Sequence, residues 1–179
     1  MARYAMVIDT KKCVGCTDCV VVCKTENQTP DGFHRDWIVE ETHGKFPGLN
    51  LEIRSERCNH CEHPPCVYSC PTGASYIEKD SNITLVEHSK CIGCKACIAA
   101  CPYDARYVHP DGWIDKCTFC EHRLKQGKLP ACVSVCPTHC MYFGDLDKPN
   151  SDVSRLLKSR KWKVVQPSAG TRPQVYYLI

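Results

Sequence analysis

Cys13, Cys16, Cys19 and Cys23 follow one another as C-x2-C-x2-C-x3-C, and Cys91, Cys94, Cys97 and Cys101 repeat that spacing. Cys58, Cys61, Cys66 and Cys70 keep the template with two residues added before the third cysteine. In Cys117, Cys120, Cys132 and Cys136 the middle gap widens to eleven residues. Thiolates at such intervals let one loop wrap three irons of a cube while its backbone N–H groups face the sulfurs. C-x2-C-x2-C-x3-C is the run with which bacterial ferredoxins hold [4Fe-4S] clusters. Zinc is the competing metal, because the last group alone could pass for a zinc ribbon. Three companions with cluster spacing weigh against it.

The elements that must position these groups also repeat. A basic residue precedes each first cysteine (Lys12, Arg57, Lys90, Lys116), and a short apolar piece leads in: residues 6–8, 51–53, 83–86 and 113–114. Fourth cysteines end short apolar runs such as Val20, Val21, Val22 before Cys23. The unit reads as strand, cluster loop, then one or two helical turns. Gly15 and Gly93, inside the first gaps, permit the positive φ such a loop needs. Pro71, Pro102 and Pro137 follow the fourth cysteines and stop the helix; Lys24 takes that place in group one, which changes the end of its helical turn. The fourth cysteine leaves the loop too far away to close the same cube, and in two-cluster ferredoxins it ligates the other one.

Composition agrees that metal holds the chain. Seventeen of 179 residues are cysteine, while Leu, Ile, Val and Phe together number only 37, thin for a self-supporting core. A disulfide framework would sit behind a secretory signal, and the N-terminus lacks an apolar h-region and a twin-arginine pair. No run of about 20 apolar residues is present, so a membrane span is not expected. The formal charge of +3 with no interleaved aromatics gives no nucleic-acid signature. Four cubes of roughly −2 each would take that +3 to about −5. Lys12, Arg57, Lys90, Lys95 and Lys116 are therefore read as partners of buried negative charge, where they should raise reduction potentials.

Between the groups, residues 37–40 and 49–54 predict a β-hairpin, with Leu49, Leu51 and Ile53 alternating with polar residues. Further hairpins are predicted over residues 75–78 with 83–87, and about a turn at 109–112. Asn150 is a candidate cap for a helix from Ser151 to about Arg160, with Val153, Leu156 and Leu157 as its buried stripe. The tail ends in a strand-like stretch at residues 175–178. His60 and His63, inside group two, have the chemistry of a Rieske ligand pair, but four cysteines already serve that group and the histidines are read as neighbours. Cys140, the seventeenth cysteine, is read as a buried unligated thiol, with a substitute ligand as the other reading. His122, Arg123, Lys125 and Lys128 form either a solvated basic face or a docking surface for an acidic partner. Among the recognisable motifs, no Ser-His-Asp set, phosphate loop or carboxylate pair stands out, so catalysis is not expected of this chain.

Four groups in this order, with residues 58–66 (CNHCEHPPC) and 117–120 (CTFC), resemble the four-cluster iron–sulfur electron-transfer subunits of molybdopterin oxidoreductases, of the polysulfide, thiosulfate, tetrathionate and arsenate reductase type. Residues 101–107, 143–146 and 170–173 match that group as well. The resemblance implies an α+β fold of two ferredoxin-like modules, built from short strands, β-hairpins and short helices around four [4Fe-4S] clusters. Residues 1–57 and 102–149 would form the first module, residues 58–101 an inserted second one, and residues 150–179 a C-terminal helix and tail. Groups one and four would share a module, as would groups two and three. The ligand sets would then be Cys13, Cys16, Cys19 with Cys136; Cys117, Cys120, Cys132 with Cys23; Cys58, Cys61, Cys66 with Cys101; and Cys91, Cys94, Cys97 with Cys70.

The resemblance further implies a catalytic partner with a bis-pterin molybdenum or tungsten cofactor, and a third partner that is either an integral membrane quinone-binding subunit or a cytochrome. Groups one and four would stand nearer the catalytic subunit, and groups two and three nearer the membrane. The resemblance implies that such subunits are often exported with a twin-arginine-targeted partner. The chain would then lie peripherally on the bacterial or archaeal cytoplasmic membrane, at its periplasmic face, with a cytoplasmic home as the other choice. A free polyferredoxin or a hydrogenase- or formate-linked carrier is the competing function, and a metal-stabilised interaction module a third. Anaerobically prepared protein should contain about 16 iron and 16 acid-labile sulfide per chain, four of each per cube. Iron and sulfide analysis checks this; a value near eight, or equimolar zinc, would overturn the four-cluster reading.

Overall fold

The computed structural model describes residues 2–179. Strand β1 (Tyr4–Asp9) leads into the first cysteine loop, and helix α1 (Asp18–Asn27) carries Cys19 and Cys23. Strands β2 (Asp36–His43) and β3 (Asn50–Arg57) then form the first hairpin. Helix α2 (Pro65–Tyr68) carries Cys66, strands β4 (Ser75–Ile77) and β5 (Thr84–Val86) form the second hairpin, and helix α3 (Ala96–Ala99) carries Cys97. Strands β6 (Tyr107–Val108) and β7 (Ile114–Asp115) make the third hairpin, followed by helices α4 (Glu121–Leu124) and α5 (Ala131–Val135), the latter with Cys132. The chain closes with strand β8 (Met141–Asp145), helix α6 (Asp152–Ser159), and strands β9 (Trp162–Lys163) and β10 (Val175–Leu178).

The main aliphatic layer is a four-stranded sheet in the order β8-β1-β10-β9. β1 pairs antiparallel with β8 and parallel with β10, with Met6 opposite Val175 and Ile8 opposite Tyr177. Residues 150–179 are thus built into the same sheet as the N-terminus. Strand alternation divides β1 between two faces. Met6 and Ile8 turn with Val175 and Tyr177 toward Cys19, Phe119, Cys132, Cys136 and Cys140, while Val7 and Leu178 meet Val153, Leu156 and Leu157 of α6. The cap of α6 is Ser151 and not Asn150: the Ser151 hydroxyl accepts from the Ser154 amide at 3.2 Å, and the helix ends one residue before Arg160.

The first hairpin extends beyond its expected limits at both ends, so that Asp36 lies directly across from Arg57. Charged residues hid those ends from a search for apolar alternation. Arg54, buried beneath Glu41, Glu52 and Glu56 at 2.6–2.8 Å, clamps the hairpin. Leu49 and Leu51 remain more than half exposed, so the alternating face does not become core there. Ile53 instead packs on Gly15, where an added Cβ would come within 3.3 Å of its side chain.

Most strands outside the sheet and the first hairpin are two or three residues long, and the cysteine loops bridge them without an aliphatic core of their own. Chelating or oxidising away the iron should therefore abolish the cooperative thermal transition. Circular dichroism on matched holo- and apoprotein checks this. An apoprotein that melts cooperatively would show the sheet and α6 to be a sufficient core.

Candidate metal centres

The same backbone device opens every cysteine loop. The second residue of each first gap (Gly15, His60, Gly93, Phe119) is left-handed, with φ of 67°, 42°, 67° and 52°. This conformation turns the loop around a centre instead of letting it extend. At Gly93 a Cβ would also lie 2.5 Å from the Gly112 carbonyl oxygen, so glycine is needed for space as well as for φ. The third cysteines lie on helical turns, and the fourth follow where those turns end. Cys23 is the exception, inside α1, because Lys24 lets that helix run on to Asn27.

Long-range folding then gathers the sulfurs. Cys13, Cys16, Cys19 and Cys136 line one cavity, together with Cys140, Ile38 and Met141. Cys117, Cys120, Cys132 and Cys23 line a second. Cys91, Cys94, Cys97 and Cys70 line a third. Cys58, Cys61 and Cys101 pack together against Tyr103 and Ala105. Burial, reinforced by the sulfurs of Cys58, Cys66 and Cys101, pushes the Cys61 thiol up to about 12, against a hydrogen bond from Thr171.

Four sulfurs converging on one cavity, three times over, suit a polynuclear cube. Among the described residues no three His, Cys, Asp or Glu side chains converge on a position for a single metal ion. Buried donors without a protein partner also border these sites. They include Arg57 Nε, Arg106 Nε and Nη1, and the single N–H of the neutral His60 ring, neither of whose nitrogens has a partner. Thiolate or sulfide would accept from such groups. Burial lifts the Cys19 thiol to about 11 and those of Cys117 and Cys132 to about 12, so ligation must displace protons that these thiols hold at neutral pH.

The expected basic residues divide sharply. Arg57 and Lys116 are each only 1% exposed, whereas Lys12, Lys90 and Lys95 lie at the surface. Arg57 Nη1 donates to Cys132 Sγ at 3.0 Å, and its guanidinium pairs with buried Asp36 at 2.9 Å. Burial opposes its charge, but Asp36 and the nearby cysteines keep Arg57 ionised. Ser55 bridges this pair to Cys19, whose Sγ lies 3.6 Å from the Ser55 hydroxyl. Lys116 donates to the carbonyls of Thr84 and Cys117.

Sequence reasoning missed Asp36, Ser55, Asn27 and Arg106. Arg106 donates to Ser75 at 2.9 Å, and its buried charge faces Cys58, Cys66, Cys97 and Cys101. It fell within the resembling stretch 101–107, but nothing local marked it as buried. Thr171, in the resembling stretch 170–173, hydrogen-bonds Tyr103 and reaches Cys61, while its carbonyl accepts from the His63 amide at 3.0 Å. The tail therefore covers the group-two loop.

The two histidines of group two part company. His63 is exposed, whereas His60 is buried and stacks on Phe119 with ring centroids 3.8 Å apart. Burial, then the charges of Lys116, Arg106 and Arg57, holds His60 neutral. Cys140 is 2% exposed, with its Sγ 3.4 Å from Cys136 Sγ. The Cys140 thiol beside Cys13 holds that residue's thiol below its usual range. The basic insertion is largely neutralised from within: His122 and Arg123 pair with Glu26, and Lys125 with Glu121.

Contacts between neighbouring sets run in one order. Asp36, Ser55 and Arg57 join Cys19 to Cys132; Cys117 packs on Cys58 and Cys61 beside the His60–Phe119 stack; Cys66 packs on Cys97 with Ile114. Cys16 and Cys94, at the two ends of that series, are exposed. Val14 and Val21 near Cys16, and Tyr68 and Ile92 toward Cys94, are 61–71% exposed.

Two models of a 4Fe-4S dicluster domain match the chain, one over residues 49–146 and the other over residues 12–74. Over 177 residues the sequence is 45% identical to Protein NrfC of Escherichia coli (strain K12), covering 97% of this chain and 79% of that protein. It is 42% identical to a tetrathionate reductase subunit of Salmonella typhimurium, covering 98% and 72% of the two chains. It is 38% identical to the arsenate respiratory reductase iron-sulfur subunit ArrB of Shewanella sp. (strain ANA-3), covering 98% and 96%. Two dicluster matches carry the cofactor requirement to four [4Fe-4S] clusters.

Replacing Arg57 by glutamine would leave Asp36 buried without its countercharge. Holoprotein stability should fall by about 3–5 kcal/mol, the usual cost of breaking a buried pair. Adding Asp36→Asn should recover much of the loss. Anaerobic denaturant titration of the single and double variants checks both expectations.

Proposed function

Because the chain belongs to the 4Fe-4S dicluster family, as an iron–sulfur electron-transfer subunit of reductase complexes, we propose that it links a molybdopterin catalytic subunit to an integral membrane quinone-binding subunit or a cytochrome. It is a non-catalytic wire in this reading, peripheral to the membrane; among the described residues no helix is long and apolar enough to cross one. We infer two ferredoxin-like modules, groups one with four and groups two with three, each module exchanging its fourth cysteines. The ligand sets are Cys13, Cys16, Cys19, Cys136; Cys117, Cys120, Cys132, Cys23; Cys58, Cys61, Cys66, Cys101; and Cys91, Cys94, Cys97, Cys70. The observation that carries this reading is the lining of three cavities, each by three cysteines of one group and the fourth cysteine of its partner group.

Each bound cube supplies a one-electron couple. The chain's residues do the rest. The left-handed loops hold the thiolates and exclude water, Arg57, Lys116 and Arg106 offset buried negative charge, and the neutral His60–Phe119 stack fills the space between the two middle sets. The contact series supports a relay that runs from the set with exposed Cys16 to the set with exposed Cys94. Exposure at only these ends favours one docking partner at each, with the Cys16 end toward the catalytic subunit. The relatives named for tetrathionate and arsenate reductases support an oxidised sulfur compound or an oxyanion as the substrate class of that partner.

Purified anaerobically, the chain should come with a large pterin-containing subunit. In that complex, Cys70→Ser should disturb the same EPR signal as Cys94→Ser and leave the Cys61-dependent signal nearly intact. A Cys70→Ser spectrum that matches Cys61→Ser would mean that each group closes its own cube. A chain that purifies alone with all its iron would favour a free polyferredoxin.

A further inference from the structure

The fold treats Cys23 differently from the other fourth cysteines. After Cys70, Cys101 and Cys136 a proline stops the helix, and the chain turns through a left-handed residue three positions on: Gly73, Asp104 and His139, with φ of 68°, 51° and 47°. The turn brings backbone amides toward each sulfur: that of Ser75, 3.4 Å from Cys70 Sγ, with those of Thr72 and Ala74 beside it, those of Tyr103 and Ala105 for Cys101, and those of Thr138 and Cys140 for Cys136. At Cys23 the proline is replaced by Lys24 and α1 continues. Helical geometry sends the Thr25 and Asn27 amides to carbonyls one turn back, away from the sulfur.

The Asn27 side chain takes over that place. Its Nδ2 lies 3.6 Å from Cys23 Sγ and 3.9 Å from Cys120 Sγ, and also donates to the Cys23 carbonyl at 3.0 Å. Its Oδ1 accepts from Arg35 Nη1 at 2.8 Å, which turns the nitrogen end of the amide toward the sulfurs. Arg35 is in turn forked onto Asp115, with both bonds at 2.8 Å and both side chains at least nine-tenths buried. Lys24 serves the same arrangement, since its Nζ bonds the carbonyls of Pro30 and Phe33 at 3.1 and 2.9 Å and folds the loop that delivers Arg35.

We propose that the Asn27 amide is a side-chain hydrogen-bond donor to Cys23 and Cys120 that raises the potential of the cluster held by Cys117, Cys120, Cys132 and Cys23, filling at Cys23 the place of the backbone amides at the other three fourth cysteines. Arg57 serves Cys132 of the same set. The proposal rests on the ligand sets given above. A donor to a ligand sulfur stabilises the more negative, reduced form and raises the potential. The other three fourth cysteines keep peptide donors that substitution does not delete, whereas at Cys23 the donor is a side chain that a single substitution removes. Arg35 and Asp115 act as positioning residues for the amide.

Potentiometric EPR titration of Asn27→Ala and Asn27→Asp, each in the intact complex with iron content measured, tests the idea. Asn27→Asp keeps an acceptor for Arg35 while deleting the donor. Both variants should shift the centre that Cys120→Ser alters to a more negative potential, with iron content and the other three midpoints unchanged. If both leave that midpoint in place and lower only thermal stability, the amide is a helix-end contact and the proposal falls. Cys23→Ser, read in parallel, separates the ligand assignment from the role of the amide. Should it alter a different centre from Cys120→Ser, the shared ligand set fails, while the shift of the Cys120-dependent centre still decides the role of Asn27.

Discussion

Bonds between cysteine sulfur and iron carry the load that aliphatic burial carries in most domains of this size, because 37 Leu, Ile, Val and Phe residues must serve 179 positions. The sheet β8-β1-β10-β9 and α6 absorb much of that apolar supply. Apart from α1 and the first hairpin, what remains is short hairpins and one-turn helices whose main task is to present thiols. Ligation is therefore expected to act as both cofactor binding and folding.

Burying clusters in so small a chain concentrates negative charge, and the structure answers with buried cations instead of surface ones. Arg57 and Lys116 begin their cysteine loops from inside the protein, and Arg106 enters from the segment after Cys101. Arg57 is held by Asp36 across the hairpin, so the pair is fixed by strand register and not by side-chain flexibility. His60 contributes no charge. Desolvation and three cationic neighbours keep it neutral, and its ring stacks on Phe119, the residue at the corresponding position of group four.

The repeated loop is a backbone design that tolerates varied side chains. Left-handed residues occupy the same position of all four first gaps although only two are glycine. Where the design is interrupted, by Lys24 instead of proline, a set of side chains (Lys24, Asn27, Arg35, Asp115) rebuilds the missing contacts. Such a set is open to change by substitution in a way that peptide groups are not.

The four cysteine groups, their metal and their family were all legible in the sequence, as were the three hairpins and the buried stripe of α6. These follow from spacing, turn chemistry and periodicity, which act over a few residues along the chain. The limits of the first hairpin were not legible, because Asp36 and Arg57 look like surface charge until strand register sets them face to face. Nor could the sequence tell that Lys12 and Lys90 stay in solvent while Lys116 does not, or that Asn27 reaches both Cys23, on its own helix, and Cys120, 93 residues away in the chain. The tail's place in the central sheet depends on a parallel pairing between the two ends of the chain. Burial, charge partnership and the grouping of sulfurs around shared cavities are properties of residues distant in sequence, and only the folded backbone brings those residues within reach of one another.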